Sequence, residues 1–236
     1  MYAKACNTPS NVSYSEILAL VTGVLRDAKG QFRASVYEVD YEGQRAIWKD
    51  MNAHLWLLRR SMGAALVREA NILCHLHSIP GIPAVLAIVG KAGFVMEKME
   101  GECLPRHRDH WLTLQYFNAL RELILKMHER GVAHGDLRRM NILCNVATQQ
   151  PRLIDFGTAH LLRENSNPIR RWIWQETCRI DLQHYAKIKK SYFPKQLTAE
   201  EQAWLDYKPF YYRLGHFFRN SIYRPIRRCI NSRKQR

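Results

Sequence analysis

The chain has 236 residues, 47% of them hydrophobic and 24% charged, so it can bury a core and wholesale disorder is excluded. Its formal net charge of +15 suits a phosphate-rich ligand, an anionic membrane surface or nucleic acid, yet Lys208 to Arg236 alone carries nine Lys or Arg and no Asp or Glu. The six cysteines form no C-x-x-C pair and stand near no His at zinc-finger spacing, which excludes a zinc finger and reads as idle thiols in a reducing compartment.

From the N-terminus, Met1 to Ser10 is polar where a signal peptide needs an apolar core. No apolar run approaches the roughly 20 residues of a membrane-spanning helix, and the longest candidate, near Ile82 to Val89, contains Pro83. A cytoplasmic protein is expected. Asp27 to Ala34 holds a single glycine, Gly30, with Lys29 and Arg33 beside it. Ser35 to Val39 reads as a strand, Asp40 to Gln44 as a turn built on Glu42-Gly43, and Arg45 to Lys49 as the returning strand. Glu69 then falls within the helical pattern of Ala64, Leu66, Val67, Ala70, Ile72, Leu73 and Leu76. Ile79-Pro80-Gly81-Ile82-Pro83 breaks that helix, and the apolar run Gly93 to Met96 reads as a strand ending in Glu97-Lys98-Met99-Glu100-Gly101.

His107-Arg108-Asp109 precedes a helix over Leu114 to Glu129, whose start an Asp favours electrostatically. Arg130-Gly131 stops that helix. There follow His134-Gly135-Asp136-Leu137-Arg138-Arg139-Met140-Asn141 and Leu153-Ile154-Asp155-Phe156-Gly157. Asp181 sits in a new helical pattern, either solvated or buried, and Thr198 with Glu201 spells a capping box. Trp204, Tyr207, Tyr211, Leu214, Phe218 and Ile222 recur at helical steps among basic residues, as in a helix on anionic lipid or one packed on its own domain.

The two strings at 134–157, in this order, resemble the catalytic and metal-binding loops of the protein-kinase-like superfamily. Phosphoryl transfer is mostly positioning and charge neutralisation. One carboxylate orients a hydroxyl while a second carboxylate and an amide oxygen hold divalent metal on a triphosphate. The resemblance implies an α+β bilobal fold with a small β-rich N-lobe and a mostly helical C-lobe whose substrate platform is shortened, since no A-P-E string follows Gly157. It implies Asp136 as the catalytic base, Asn141 and Asp155 as ligands of Mg²⁺ or Mn²⁺, and Lys49 paired with Glu69 on the ATP phosphates. Backbone groups of Glu97 and Met99 would meet adenine, and Asp181 would tie down the catalytic loop. His107-Arg108-Asp109 imitates the family's H-R-D, but Leu114 stands where the metal-binding Asn is required.

Departures narrow the resemblance. Gly135 replaces the arginine that reads a phosphorylated activation segment, Arg138 stands in place of a lysine, and the glycine-rich loop is nearly absent. H-G-D with a small C-lobe is similar to the compact microbial branch, which includes RIO-type kinases and lipopolysaccharide-core sugar kinases. The expected organisation is an N-lobe over 1–97, a C-lobe over 98–207 and a basic aromatic tail over 208–236. The expected activity is ATP- and Mg²⁺-dependent phosphorylation of an alcohol. The leading acceptor is a sugar hydroxyl of a lipid-linked glycan met at the inner membrane face, with the tail on anionic lipid. The alternatives are a RIO-type serine/threonine kinase acting on a protein substrate and a catalytically weak scaffold. Nucleic acid is not expected, because no base-reading motif accompanies the charge.

Overall fold

A computed structural model describes residues 9–27, 34–51, 56–106 and 111–208, with backbone alone over 56–62. It is an α+β fold with a sheet in the N-terminal region and helices in the C-terminal part. The sheet contains β1 (Ser10–Val12), β2 (Val21–Arg26), β3 (Ser35–Tyr41), β4 (Gln44–Asp50), β5 (Val85–Val89) and β6 (Gly93–Glu97), in the order β1-β5-β6-β4-β3-β2. All neighbours are antiparallel except β1 with β5. The β3–β4 hairpin is longer than its expected strands because the turn shrinks to Glu42-Gly43. Both residues have positive φ, 52° and 75°, as a two-residue turn matching the strand twist requires.

Strand alternation sends β4 side chains to opposite faces. Ala46 and Trp48 join an outer cluster with Tyr37, Val39, Tyr41 and Val95, covered by Ile17 from α1 (Tyr14–Ala19). Ile47 joins the main core instead, on the face shared by Lys49. A one-residue slip would turn Lys49 away from that face.

The main core runs from the sheet into the helices without a break. Leu73 of α2 (Trp56–His75), Phe94, and Phe117, Leu120, Ile124 and Met127 of α3 (Leu114–Glu129) are all essentially inaccessible to solvent. The α3 boundaries match the expected ones, but the cap is Thr113, whose hydroxyl accepts the Tyr116 amide at 3.1 Å. The decoy at 107–109 lies outside the described residues, as does Gly30 with its neighbours. Short strands follow: β7 (Glu102–Cys103), β8 (Val132–Ala133), β9 (Ile142–Asn145), β10 (Gln150–Leu153) and β11 (His160–Leu161). Two helices close the described chain, α4 (Pro168–Tyr192), capped by Asn167, and α5 (Ala199–Asp206), with the expected Thr198–Glu201 capping box.

Trp204 and Tyr207, at the head of the aromatic series, pack onto the C-terminal helices rather than facing outward. The Trp204 ring lies 6.2 Å from Tyr185 with Arg121 stacked over it, and the Tyr207 hydroxyl donates to Glu176. Residues 209–236 lie outside the described set. Burial raises the thiol of Cys144 to about 11 and that of Cys178 to about 12, which keeps both in the unreactive form. Among the described residues no helix is long and apolar enough to cross a membrane.

Candidate active site

Lys49 projects from β4 toward α2, where its Nζ donates to Glu69 Oε1 at 2.6 Å. Both side chains are almost wholly buried, at 9% and 4% exposure. Nζ also lies 3.4 Å from Asp155 Oδ1, so one ammonium bridges the helix carboxylate and the metal-loop carboxylate. Burial alone would lower the Lys49 pKa, but the two carboxylates outweigh it and the net shift is upward. Partial burial pushes the Asp155 carboxyl up, and the nearby ammonium overrides that to bring it below the usual aspartate value.

Hairpin register brings the two loops together. In the β9–β10 pair Ile142 stands opposite Leu153, so the residues just outside that pair, Asn141 and Ile154, are neighbours. The Ile154 amide donates to the Asn141 carbonyl at 3.0 Å, which sets Asp155 beside the end of the catalytic loop. Asp155 takes φ 66°, a left-handed conformation that costs a non-glycine residue roughly 1–2 kcal/mol. Such strain persists where surrounding contacts over-determine it. Here those contacts are Lys49 and the backbone bond of its neighbour Ile154.

The catalytic loop is held from below by Asp181 of α4, which is fully buried. Its Oδ2 accepts the His134 amide at 2.7 Å and faces His128 Nε2 at 3.1 Å, while Oδ1 accepts the Gly135 amide at 3.0 Å. Of the two sequence-level readings of Asp181, the buried tether is the observed one. His134 is also buried, with Nε2 3.1 Å from the Ile154 carbonyl and its ring 4.8 Å from Phe156. The Thr158 hydroxyl donates to the His134 carbonyl at 3.1 Å. Pairing of β11 with β8 stitches the segment after the metal loop to the strand before the catalytic loop.

Asp136 stands at the mouth with its side chain 28% exposed. Its Oδ2 receives Arg138 at 2.5 Å and Asn141 Nδ2 at 3.2 Å. The same Asn141 nitrogen donates to the Asp136 carbonyl at 2.9 Å, so the amide oxygen is the atom of that side chain that could coordinate a metal. Asn141 and Asp155 therefore present oxygen donors of the kind Mg²⁺ prefers, and they would hold such an ion together with oxygens supplied by a nucleotide and water. Among the described residues no three His, Cys, Asp or Glu converge as a self-sufficient metal cage. The donor set fits a metal brought with a nucleotide.

Lys49, Glu69 and Asp155 thus form one contact chain and Asp136 with Asn141 a second, and the Ile154–Asn141 backbone bond sets the two side by side. Glu97 and Met99 differ in orientation. Both border a cavity of about 700 Å³ between the 77–84 turn and β10, and none of those five residues lines it. The Glu97 amide is taken by the Ala84 carbonyl at 2.8 Å, and its carboxylate reaches the Ala84 amide at 3.4 Å. Three supporting residues carried no sequence signal: Arg68, which donates to the Gly157 carbonyl at 2.7 Å, His128 and Thr158. For Arg68 the only available hint was its place next to Glu69.

The family described as protein kinase domain matches this chain over residues 37–184. Over 104 residues the chain is 33% identical to the probable serine/threonine-protein kinase YbdM of Bacillus subtilis (strain 168). That alignment covers 40% of this chain and 40% of the relative.

Proposed function

This chain belongs to the protein kinase family, and we propose that it transfers the γ-phosphoryl group of ATP to an alcohol through the site built on Asp136 and Asp155. The observation that supports this most directly is the unbroken contact chain from Glu69 through Lys49 to Asp155, beside Asp136 and Asn141. A bound divalent ion would supply charge neutralisation for the triphosphate, with Asn141 and Asp155 as its protein ligands. Lys49, oriented by Glu69, steadies the phosphates. Asp136 keeps one carboxylate oxygen under Arg138 and Asn141 and turns the other to the acceptor hydroxyl, whose proton it takes. Arg138 places positive charge where the transferred group passes. Because the Ala84 carbonyl already takes the Glu97 amide, Glu97 would meet the base through its carbonyl and Met99 through its backbone groups.

For the acceptor we favour a sugar hydroxyl on a lipid-linked glycan. Only Thr158 to Asn167 separate Gly157 from α4, which leaves little chain for a peptide platform. Lys208 to Arg236 would hold the protein on an anionic membrane surface, each basic residue contributing about 1 kcal/mol near such a surface. A second reading, a serine or threonine side chain of a protein in the manner of RIO-type kinases, is favoured by the printed name of the B. subtilis relative. Incubation with γ-labelled ATP and separated lipid, glycan and protein fractions of the host tests both. Label in glycan supports the first reading, label in protein the second. No label in any fraction, with no melting shift by Mg·ATP, would return the chain to a scaffold role.

A further inference from the structure

Beside the catalytic loop lies a small cavity of about 220 Å³ lined by Leu137, Arg138, Arg139, His184, Lys187 and Ile188. Four of these six side chains are basic or imidazole, and none is acidic. The nearest catalytic carboxylate, Asp136, is already engaged by Arg138 at the rim. Arg139 is held rigidly, with one terminal nitrogen on Ser191 Oγ at 2.8 Å and its guanidinium 5.4 Å over the Tyr192 ring. Its Nε is buried without a hydrogen-bond partner, and so is Nδ1 of His184. Lys187 is fixed against Gln183 Oε1 at 2.8 Å.

Both nitrogens belong to side chains that line the cavity, and buried nitrogens left without a partner are uncommon. An anion between Arg139, His184 and Lys187 would offset the excess of positive charge around the cavity. Burial and the Lys187 ammonium hold His184 below the usual histidine pKa, an effect that an anion between the two would oppose.

We propose that this cavity is an acceptor subsite for an anionic group, phosphate or carboxylate, carried on the sugar that Asp136 presents for phosphorylation. The inference rests on the reading of Asp136 as the base that meets the acceptor. The cavity has room for one compact group, and its apolar walls, Leu137 and Ile188, suit the edge of a ring. A peptide acceptor would need the extended platform that the short segment after Gly157 lacks.

Calorimetric titration of the full chain, saturated with Mg²⁺ and a non-hydrolysable ATP analogue, tests this. The probes are inorganic phosphate, glucose 6-phosphate, glucuronate, glucose and a glutamate-rich peptide. Phosphate and glucose 6-phosphate, or phosphate and glucuronate, should compete for one site that glucose does not enter. Which of the two sugars binds distinguishes a phosphate from a carboxylate as the recognised group. Lys187→Gln and Arg139→Gln should each weaken binding about tenfold, the scale of one charged hydrogen bond. A preserved melting shift by Mg·ATP shows that each variant still folds around its nucleotide. Equal phosphate binding by wild type and both variants, no anion binding at all, or tighter binding of the peptide than of either anionic sugar would overturn the subsite. Anion binding that follows these variants in a protein that transfers phosphate to no acceptor would leave the subsite standing and refute the catalytic reading instead.

Discussion

Asp181 accepts the His134 amide at 2.7 Å from a position fully closed to solvent, although the two residues are 47 positions apart in the chain. With the Gly135 amide on its other oxygen, this carboxylate sets the backbone direction from which Asp136 projects. Asp181→Ala should leave two amides and the His128 ring without their acceptor, at about 1–3 kcal/mol for each buried group left unsatisfied. Asp181→Asn keeps the shape but can present only one acceptor oxygen. Thermal melting should rank wild type above Asn above Ala, and turnover should fall in both variants more than Mg·ATP binding does. An Asn variant that melts and turns over like wild type would remove Asp181 from any positioning role.

Asp136 and Asp155 are expected to separate binding from chemistry. Asp136→Ala should retain Mg·ATP binding and lose about 10²-fold or more in transfer, the scale of a general base. Asp155→Ala should weaken Mg·ATP binding as well, read as a smaller melting shift at fixed ligand concentration. At a hundred times its Kd a ligand adds about 2.7 kcal/mol, so the shift is measurable. Transfer by Asp136→Ala within about threefold of wild type would contradict the assignment.

The Lys49–Glu69 pair should show in the pH dependence of stability. Removing one member of a buried ion pair costs about 3–5 kcal/mol, since the other charge stays buried, so Lys49→Met should melt well below wild type at neutral pH. The folded Lys49 pKa is raised above the usual 10.5, so its contribution is complete below that value and disappears as pH climbs through the folded pKa. Asp155 has the opposite sign. Its folded pKa lies below 3.8, so its contribution is present above that value and disappears as pH falls through the folded pKa. Chemical denaturation across pH should therefore show the wild type and Lys49→Met curves converging on the alkaline side. A gap that persists unchanged there would mean that Lys49 acts by packing rather than by charge.

Gly135 takes φ 77°, and a Cβ there would sit 3.0 Å from the Thr158 carbonyl oxygen and 3.4 Å from a Thr177 methyl. Gly135→Ala should cost about 1–2 kcal/mol for the left-handed backbone alone. It should also displace the loop relative to Asp155, lowering turnover more than nucleotide affinity. Urea unfolding together with a kcat and KM comparison checks both, and an alanine variant of unchanged stability would show that the loop relaxes without strain.

The strings at 134–141 and 153–157 were legible through their order and spacing, which resemble the kinase loops, and Asp136 meets Asn141 because only five positions separate them. Local rules also determined the β3–β4 hairpin, the α3 boundaries and the Thr198–Glu201 cap, where each deciding contact spans only a few residues. Lys49 and Glu69 were legible only through the resemblance, since nothing local says which glutamate a strand lysine will meet. Tertiary structure decided what depends on burial and long separation. Asp181 was solvated or buried by equal argument until α4 placed it under His134. Trp204 and Tyr207 read as either a lipid-facing or a domain-facing stripe until Tyr185, Arg121 and Glu176 covered them. Arg68, and the grouping of Arg139 with His184 and Lys187, carried no periodic or spacing signal. Helical and strand periodicity records which face of an element is apolar, whereas the partner that face meets is set by packing between elements far apart in the chain.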